Sequence, residues 1–367
     1  MTAATTAADD RPAAATNTPD PGEALASDVV GEVSASQWDA FVAATGAATI
    51  YHRRVWRNIV ESVFGHETHY LAARAPDGTI SGILPLIRLR SFLFGDFLVG
   101  LPYFTYGGVV ARSTAARDAL LEAAIGLARE RNCRHVELRQ REPLPARWPA
   151  RVDKVAMVLA LPQSPEELWK SLPSKVRTDA RRPARRGISC EFGGCELLPE
   201  FYAVFSENMR DLGTPVYPAT FFEAILKALP ENASLVVARH GSRTVAAALL
   251  LQYAGGMEIP WASSLRGFNK LGANMFMYGR VLEHAIVRGC RSFDFGRSTV
   301  DSGTYLFKKQ WGARPRQLYW NYWLRDGGEL PQLRPDNPRF RAAVAVWRRL
   351  PLALANRLGP RLIKYLP

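Results

Sequence analysis

The stretch CRSFDFGRSTVDSGTYLFKKQWGARPRQLYWNYWL, residues 290–324, decides how the chain is read. It opens as a strand in which Phe293 and Phe295 alternate with Ser292 and Asp294, breaks at Gly296, and passes through a polar loop to Phe307, Lys308, Lys309 and Trp311. An aromatic run from Leu318 to Trp323 closes it. A strand end that delivers a carboxylate, followed by a Gly-rich loop with charge and aromatics, is how a rigid scaffold presents a binding site. An edge hairpin with exposed lysines is the plainer alternative.

The opening of this stretch has an earlier counterpart. NCRHVELR (132–139) follows a predicted helix at 115–131, and GCRSFDFG (289–296) follows one at 275–288; both read Cys-Arg, then apolar–acidic–apolar, at an offset of 157 residues. Further upstream, YHRRVWRNIV (51–60) parallels YPATFFEAIL (217–226) at an offset of 166. Strands HYLAAR (69–74) and LVVAR (235–239) both end in Ala-Arg before a turn, at an offset of 165, and TISGILPLIRL (79–89) and TVAAALLLQY (244–253) follow. Three matches in one order at nearly one offset argue for internal duplication. Each unit reads helix–strand–hairpin–strand–helix–strand, so the predicted fold class is α/β (α+β), two tandem copies of one domain. The boundaries fall at 1–28 for a disordered tail, 29–160 and 161–325 for the two domains, and 326–367 for a basic C-terminal tail. The Gly-Thr-Tyr-x-Phe-Lys-Lys-Gln-Trp-Gly continuation has no equivalent in the first copy, where residues 140–150 read QREPLPARWPA. The asymmetry places the chemistry in the second.

Length and composition agree with two domains: 367 residues, 47% hydrophobic. The Ala/Thr/Pro/Asp-rich start lacks the apolar core of a signal peptide, and no apolar run is long enough to span a bilayer. The net charge of +13 suits contact with polyanions such as tRNA, nucleotide-linked substrates or an anionic membrane leaflet. Four cysteines make no disulfide framework, and the His66-Glu67-Thr68-His69 spacing misses the zinc-protease pattern, so no metal is expected. Walker, Gly-x-Gly-x-x-Gly and Gly-x-Ser-x-Gly motifs are absent, which removes support for ATPase, Rossmann and serine-hydrolase readings.

Between the copies, SPEELWKSLPSKVRTDARRPARRGI (164–188) starts a helix at Ser164-Pro165 and then carries Lys170, Lys175, Arg177, Arg181, Arg182, Arg185 and Arg186 against Asp179. The alternatives are a solvated surface and an anion-contacting face. Pro183 is expected to bend or restart the helix. Asn274 is the expected N-cap of the helix before the opening stretch, Gly289 its C′ residue, and Gly279 within it hints at close packing. The tail after 331 is amphipathic and broken by Pro351 and Pro360. It is expected to dock through Trp347, Leu350 and Leu352, with an anionic membrane surface as the alternative.

These residues resemble a known family. The duplicated α/β unit, the basic helix entering the second copy and DFGRS…GTYLFKKQWGA look like the FemAB proteins, GNAT-fold acyltransferases whose best-known members build peptidoglycan cross-bridges. The resemblance spans roughly residues 30–325, and Phe307-Lys308-x-x-Trp311-Gly312 is its most specific part. SLPSKVRTDARR and MRDLGTPVY (209–217) look more like the branch that accompanies exosortase/PEP-CTERM systems and exopolysaccharide clusters. The resemblance implies two GNAT-like domains and transfer of an acyl or aminoacyl group onto an amine of a cell-envelope precursor. The donor would be aminoacyl-tRNA or acyl-CoA, with no tightly bound cofactor, and the acceptor a nucleotide- or lipid-linked precursor. The implied location is the cytoplasm, at or near the inner face of the membrane. Lys308 would stabilise carbonyl charge with Phe307 shaping the pocket, and Arg210 matches a helix arginine that meets acceptor phosphate. Trp261 stands where the family usually has tyrosine, and the family's N-terminal lysine is not evident near Val60.

Acyl transfer to an amine needs a positioned carbonyl, a positive group where oxyanion charge grows, and a destination for the amine proton. Lys308 is the candidate for the second role and Lys309 the alternative, the two pointing to opposite faces if the segment is a strand. Asp294 accepts a proton or orients Arg297. Tyr217, Trp261, Arg297, Tyr305, Trp311, Arg177, Arg181 and Arg210 are the candidate substrate contacts. The turn Arg266–Ala273 does not fit the acetyl-CoA spacing but keeps Arg266, Lys270 and two glycines, so a remodelled phosphate site stays open. Two other readings stand beside acyl/aminoacyl transfer: an acyl-CoA N-acetyltransferase for an amino sugar or small metabolite, and a non-catalytic RNA- or nucleotide-sugar-binding protein.

Overall fold

The computed structural model describes residues 28–92, 94–331 and 338–366. The expected N-terminal tail lies outside them, apart from Asp28. Strands form two sheets. The first runs β1 (Asp28–Val30), β2 (Glu67–Arg74), β3 (Ile80–Ser91), β4 (Gly95–Val99), β6 (His135–Gln140), β15 (Tyr319–Leu324), β7 (Ala150–Arg151), with β5 (Val110–Ala111) also on β3. The second runs β14 (Arg314–Gln317), β8 (Lys154–Ala160), β13 (Ser292–Thr299), β12 (Gly256–Ser264), β11 (Arg243–Tyr253), β10 (Ala233–His240), β9 (Ile188–Gly193).

The two sheets share one heart, as duplication requires. Antiparallel β2–β3–β4 joins β6 in parallel, and antiparallel β10–β11–β12 joins β13 in parallel. The crossover helices are α3 (Thr114–Glu130) and α8 (Ala273–Val287). Ser113 caps α3 by accepting from the Ala116 N–H. Asn274 does not cap α8: the helix begins at Ala273, two residues earlier than expected, with Gly272 at the N-cap, whose φ of 76° only glycine takes cheaply. Gly289 follows the end of α8 at φ 74°, as expected of a C′ glycine.

The halves trade strands. β8 leaves the first half to pair with β13, and β15 returns from the end of the second half to pair with β6. The boundary at 160/161 therefore does not divide the sheets: β8, N-terminal to it, lies in the second. Two adjacent chain crossings, 150–160 and 314–324, tie the sheets together, and the Gln317 amide bonds the carbonyls of Val152, Lys154 and Leu318 at the crossing. One apolar core spans both halves, with Trp56 and Phe104 from the first packed with Phe201, Phe221 and Phe222 from the second. That continuity holds the halves in register far more firmly than a polar domain interface would.

Helices α1 (Ala35–Ala43) and α2 (Val55–Phe64) flank the first sheet; α6 (Leu198–Leu212) and α7 (Ala219–Ala228) flank the second. The basic segment forms α4 (Pro165–Ser171) and α5 (Ser174–Arg181), then a 3-10 turn from Arg182 to Arg186 where Pro183 ends the α geometry. Gly279 lets α8 approach this segment: a Cβ there would stand 2.9 Å from the Trp169 ring. That ring is pinned by an indole bond to Glu283 (2.6 Å) and by Arg181 stacked at 4.6 Å. Gly279→Ala is therefore expected to destabilise the protein by about 1–3 kcal/mol, against its helix-propensity gain, as a lower denaturation midpoint would record.

The tail docks, though not through the expected residues. α10 (Pro338–Trp347) and α11 (Leu352–Ile363) lie on the second half, and Ala355, Gly359 and Ile363 are the buried face of α11. Trp347, Leu350 and Leu352 are only half-buried, because Gly359 brings α11 to within a van der Waals contact of the Val216 backbone and sets which face is inward.

Candidate active site

Two carboxylates meet where β12 and β13 part. The strands pair only over Gly256–Glu258 and Ser292–Asp294, with Glu258 opposite Asp294 as the last rung. Beyond it β13 pairs with β8 through a bulge between Asp294 and Arg297, and the two strands splay. Register partners on neighbouring strands point to one face, so the two carboxyl groups stand side by side. Gly296 in the bulge adopts φ 74°. The strand thus bends at Gly296 and continues to Thr299 instead of ending there.

Residues from both halves surround the pair. The Tyr106 hydroxyl donates to Asp294 at 2.6 Å and the Gly296 N–H at 2.7 Å. Glu258 is buried and its Oε1 finds no partner, while the Tyr51 hydroxyl faces it. Burial, then the charge of Asp294, pushes the Glu258 carboxyl well above the usual range; burial also raises Asp294, opposed by Tyr106 and the Gly296 N–H. Like charges on facing rungs resist ionising together, so the pair holds on to a proton, with Glu258 the more strongly raised member.

Lys308 arrives from below. Residues 303–309 are a short helix, α9 (Gly303–Lys309), not a strand, because the Ser302 side chain caps it by accepting from the Tyr305 N–H. Lys308 and Lys309 still diverge: Lys308 is buried and Lys309 exposed. The Lys308 ammonium donates to the carbonyls of Gly296 (3.0 Å) and Arg297 (2.9 Å), leaving one N–H for a ligand. Burial lowers its pKa to about 8, with Asp294 and Glu258 opposing and Arg297 assisting.

Cations and aromatics surround the junction. Arg297 is open to solvent although protein crowds it, and its guanidinium and that of Arg139 both approach the Trp320 ring, at 5.4 and 4.4 Å. Arg139 pairs with Glu137 at 2.9 Å and is fully buried. Arg141 covers the Tyr106 ring at 4.4 Å. Tyr217 and Trp261 pack together at 5.6 Å, and Trp261 meets Phe104 at 5.2 Å.

Among the residues singled out from sequence, Asp294, Lys308, Arg297, Tyr217 and Trp261 gather around this junction. Asp294 does not orient Arg297; its bonds go to Tyr106 and the Gly296 N–H, because the bulge turns Arg297 away. Phe307 packs on Tyr278 at 5.0 Å, and Tyr305 and Trp311 lie in the second sheet's core. The helical turn sends these rings away from the Lys308 amine. Arg210 pairs with the adjacent Asp211 at 2.7 Å near the end of α6. Arg177 caps α4, donating to the carbonyls of Trp169, Lys170 and Leu172, and Arg181 stacks on Trp169. Arg177→Ala is expected to cost about 1–3 kcal/mol of stability and to leave turnover unchanged, since its partners are helix-end carbonyls. Glu258, Tyr51, Tyr106, Arg139, Arg141 and Trp320 escaped the sequence reading. The one available clue was an acid at an alternating position in the apolar strand GMEIPW.

A cavity of about 300 Å³ lies beside the N-terminus of α8, lined by Ser264, Leu265, Asn269, Gly272 and Asn274 among others. No group of three or more His, Cys, Asp and Glu residues among the described ones could hold a metal ion. No helix among them is long and apolar enough to cross a membrane.

Comparison with known proteins agrees with this architecture. Residues 174–309 match the family described as acetyltransferase (GNAT) domain. No curated protein sequence matches the chain significantly. Among solved structures, FemX superposes with a TM-score of 0.59 at 15% identity, covering 81% of this chain and 97% of its own. L-PGS from Bacillus licheniformis gives 0.55 at 12% identity, over 87% and 97%. A tandem GNAT protein from the clavulanic acid biosynthesis pathway gives 0.50 at 14%, over 83% and 100%. Residues 174–309 thus carry the GNAT domain of an acyltransferase, and the chain as a whole shares its fold with FemX and with a tandem GNAT protein.

Proposed function

We propose that the protein moves an acyl or aminoacyl group onto an amine of a cell-envelope or exopolysaccharide precursor. The carrying observation is the Glu258–Asp294 pair set against Lys308 where β12 and β13 splay. In this reading the amine nitrogen attacks the donor carbonyl, the C–N bond forms, and the C–O or C–S bond to the carrier breaks. The proton lost by the amine passes to Asp294, and Glu258, the protonated member of the pair, gives its proton to the leaving oxygen or sulfur. The remaining N–H of Lys308 faces the oxyanion. Tyr217, Trp261 and Arg297 are the acceptor contacts, with Arg297 meeting an anionic group. The two GNAT-like halves exchange β8 and β15 across the expected 160/161 boundary, and the half built on the second sheet bears the chemistry.

FemX and lysylphosphatidylglycerol synthetases among the structural neighbours support an aminoacyl donor carried by tRNA and a cell-envelope acceptor. A second reading, acyl-CoA as donor, is favoured by the cavity at the start of α8, where free helix N–H groups attract phosphate. Native mass spectrometry of the purified protein separates them: co-purified tRNA or a lipid- or nucleotide-linked amine supports the first, CoA the second. A preparation that carries RNA and transfers no group from either donor contradicts both.

A further inference from the structure

We propose that helices α10 and α11 form a docking surface for an anionic lipid bilayer. Residues 338–366 contain seven basic side chains, six arginines and Lys364, and no acid. α10 is apolar in sequence, AAVAVW between Arg341 and Arg348-Arg349, yet sits on the protein by one narrow edge. That edge is Val344 and Trp347, half-buried, with Val344 seated against Gly213 and Arg348 donating to the Leu212 carbonyl at 3.2 Å. The outward face carries Ala342, Ala345, Val346 and Arg349, all exposed, with Val346 at 63%. α11 buries Ala355, Gly359 and Ile363 and turns Leu354, Arg357 and Arg361 outward.

An exposed apolar strip framed by cations on one helix after another is the pattern of an interfacial helix. Lipid meets both features: acyl chains cover the apolar strip and phosphates face the arginines, which anionic leaflets attract. A nucleic acid leaves the alanine and valine strip uncovered. A second copy of this chain brings seven more like charges to the same place. The surface is separate from the Glu258–Asp294 site, so binding is measured without substrate and stands or falls apart from the chemistry.

Flotation of the full chain with vesicles tests it. The protein is expected to float with vesicles of equal parts phosphatidylglycerol and phosphatidylcholine, to release with added salt, and to remain unbound by phosphatidylcholine alone. Val346→Glu and Arg349→Glu, both at exposed positions, are expected to weaken the partition by about tenfold or more together, with the melting temperature unchanged. Failure to float with anionic vesicles, equal binding to neutral ones, or full binding by the double variant overturns the proposal. So does a double variant whose only change is loss of RNA binding or of a dimer.

Discussion

Replacing Glu258 by Gln is expected to slow acyl transfer by about 10²–10⁴-fold while leaving the protein at least as stable at neutral pH. The amide has the shape of the protonated acid that burial already favours at this position, so packing is kept. What is lost is the acidic proton that Glu258 gives the leaving oxygen or sulfur; Asp294 still receives the amine proton. Stability gives an independent readout. A carboxyl whose pKa is raised on folding binds more protons folded than unfolded, so stability falls as pH rises above about 4.3, the unfolded value. The wild type is expected to lose stability over that window relative to Glu258→Gln, as denaturant midpoints at pH 5 and pH 8 will measure. Parallel pH profiles would mean that Glu258 is ionised in the fold.

Lys308→Met is expected to lower transfer by about 10²–10³-fold, the size of losing one oxyanion donor. It also leaves the Gly296 and Arg297 carbonyls without their partner, at a cost of about 1–3 kcal/mol. Here the pH sign is opposite. The folded ammonium titrates at about 8, below the unfolded value of about 10.4. Between those values the unfolded chain binds more protons, so the wild type gains stability relative to the methionine variant as pH rises from 8. Stopped-flow transfer and pH-resolved unfolding separate the catalytic loss from the structural one.

The duplication was legible because Cys133 and Cys290 open the same strand in each copy and because turns recur at nearly one offset. Both strands pair in parallel at the centre of their sheets. Strand exchange was not legible. Tyr319–Leu324 is one more apolar run in the sequence, and only the register with His135–Gln140 places it in the first sheet. Lys308 was legible from its neighbours Phe307 and Trp311, although those rings pack elsewhere: Phe307 shares helix α9 with the lysine without sharing its face, and Trp311 lies past the helix end in the second sheet's core. Glu258 was harder to find. An acid inside an apolar strand carries no motif, and its meaning comes from the rung it shares with Asp294, a strand away across the α8 crossover. Tyr51 and Tyr106 lie in the other half altogether. Positive charge was legible as a total and misleading as a location, since Arg177 and Arg181 serve helix α4 and Trp169, while Arg139, Arg141 and Arg297 face the junction.

A transfer assay with labelled donors tests the site and its chemistry together. Purified protein is mixed with an envelope-precursor extract and with either labelled aminoacyl-tRNA or labelled acetyl-CoA, and the label stably attached to amine is counted. Wild type is expected to transfer label from one of these donors to an amine, and Lys308→Met and Glu258→Gln to leave it on the donor. Transfer that persists undiminished in both variants, or no transfer from either donor, would contradict the assignment of acyl transfer to this junction.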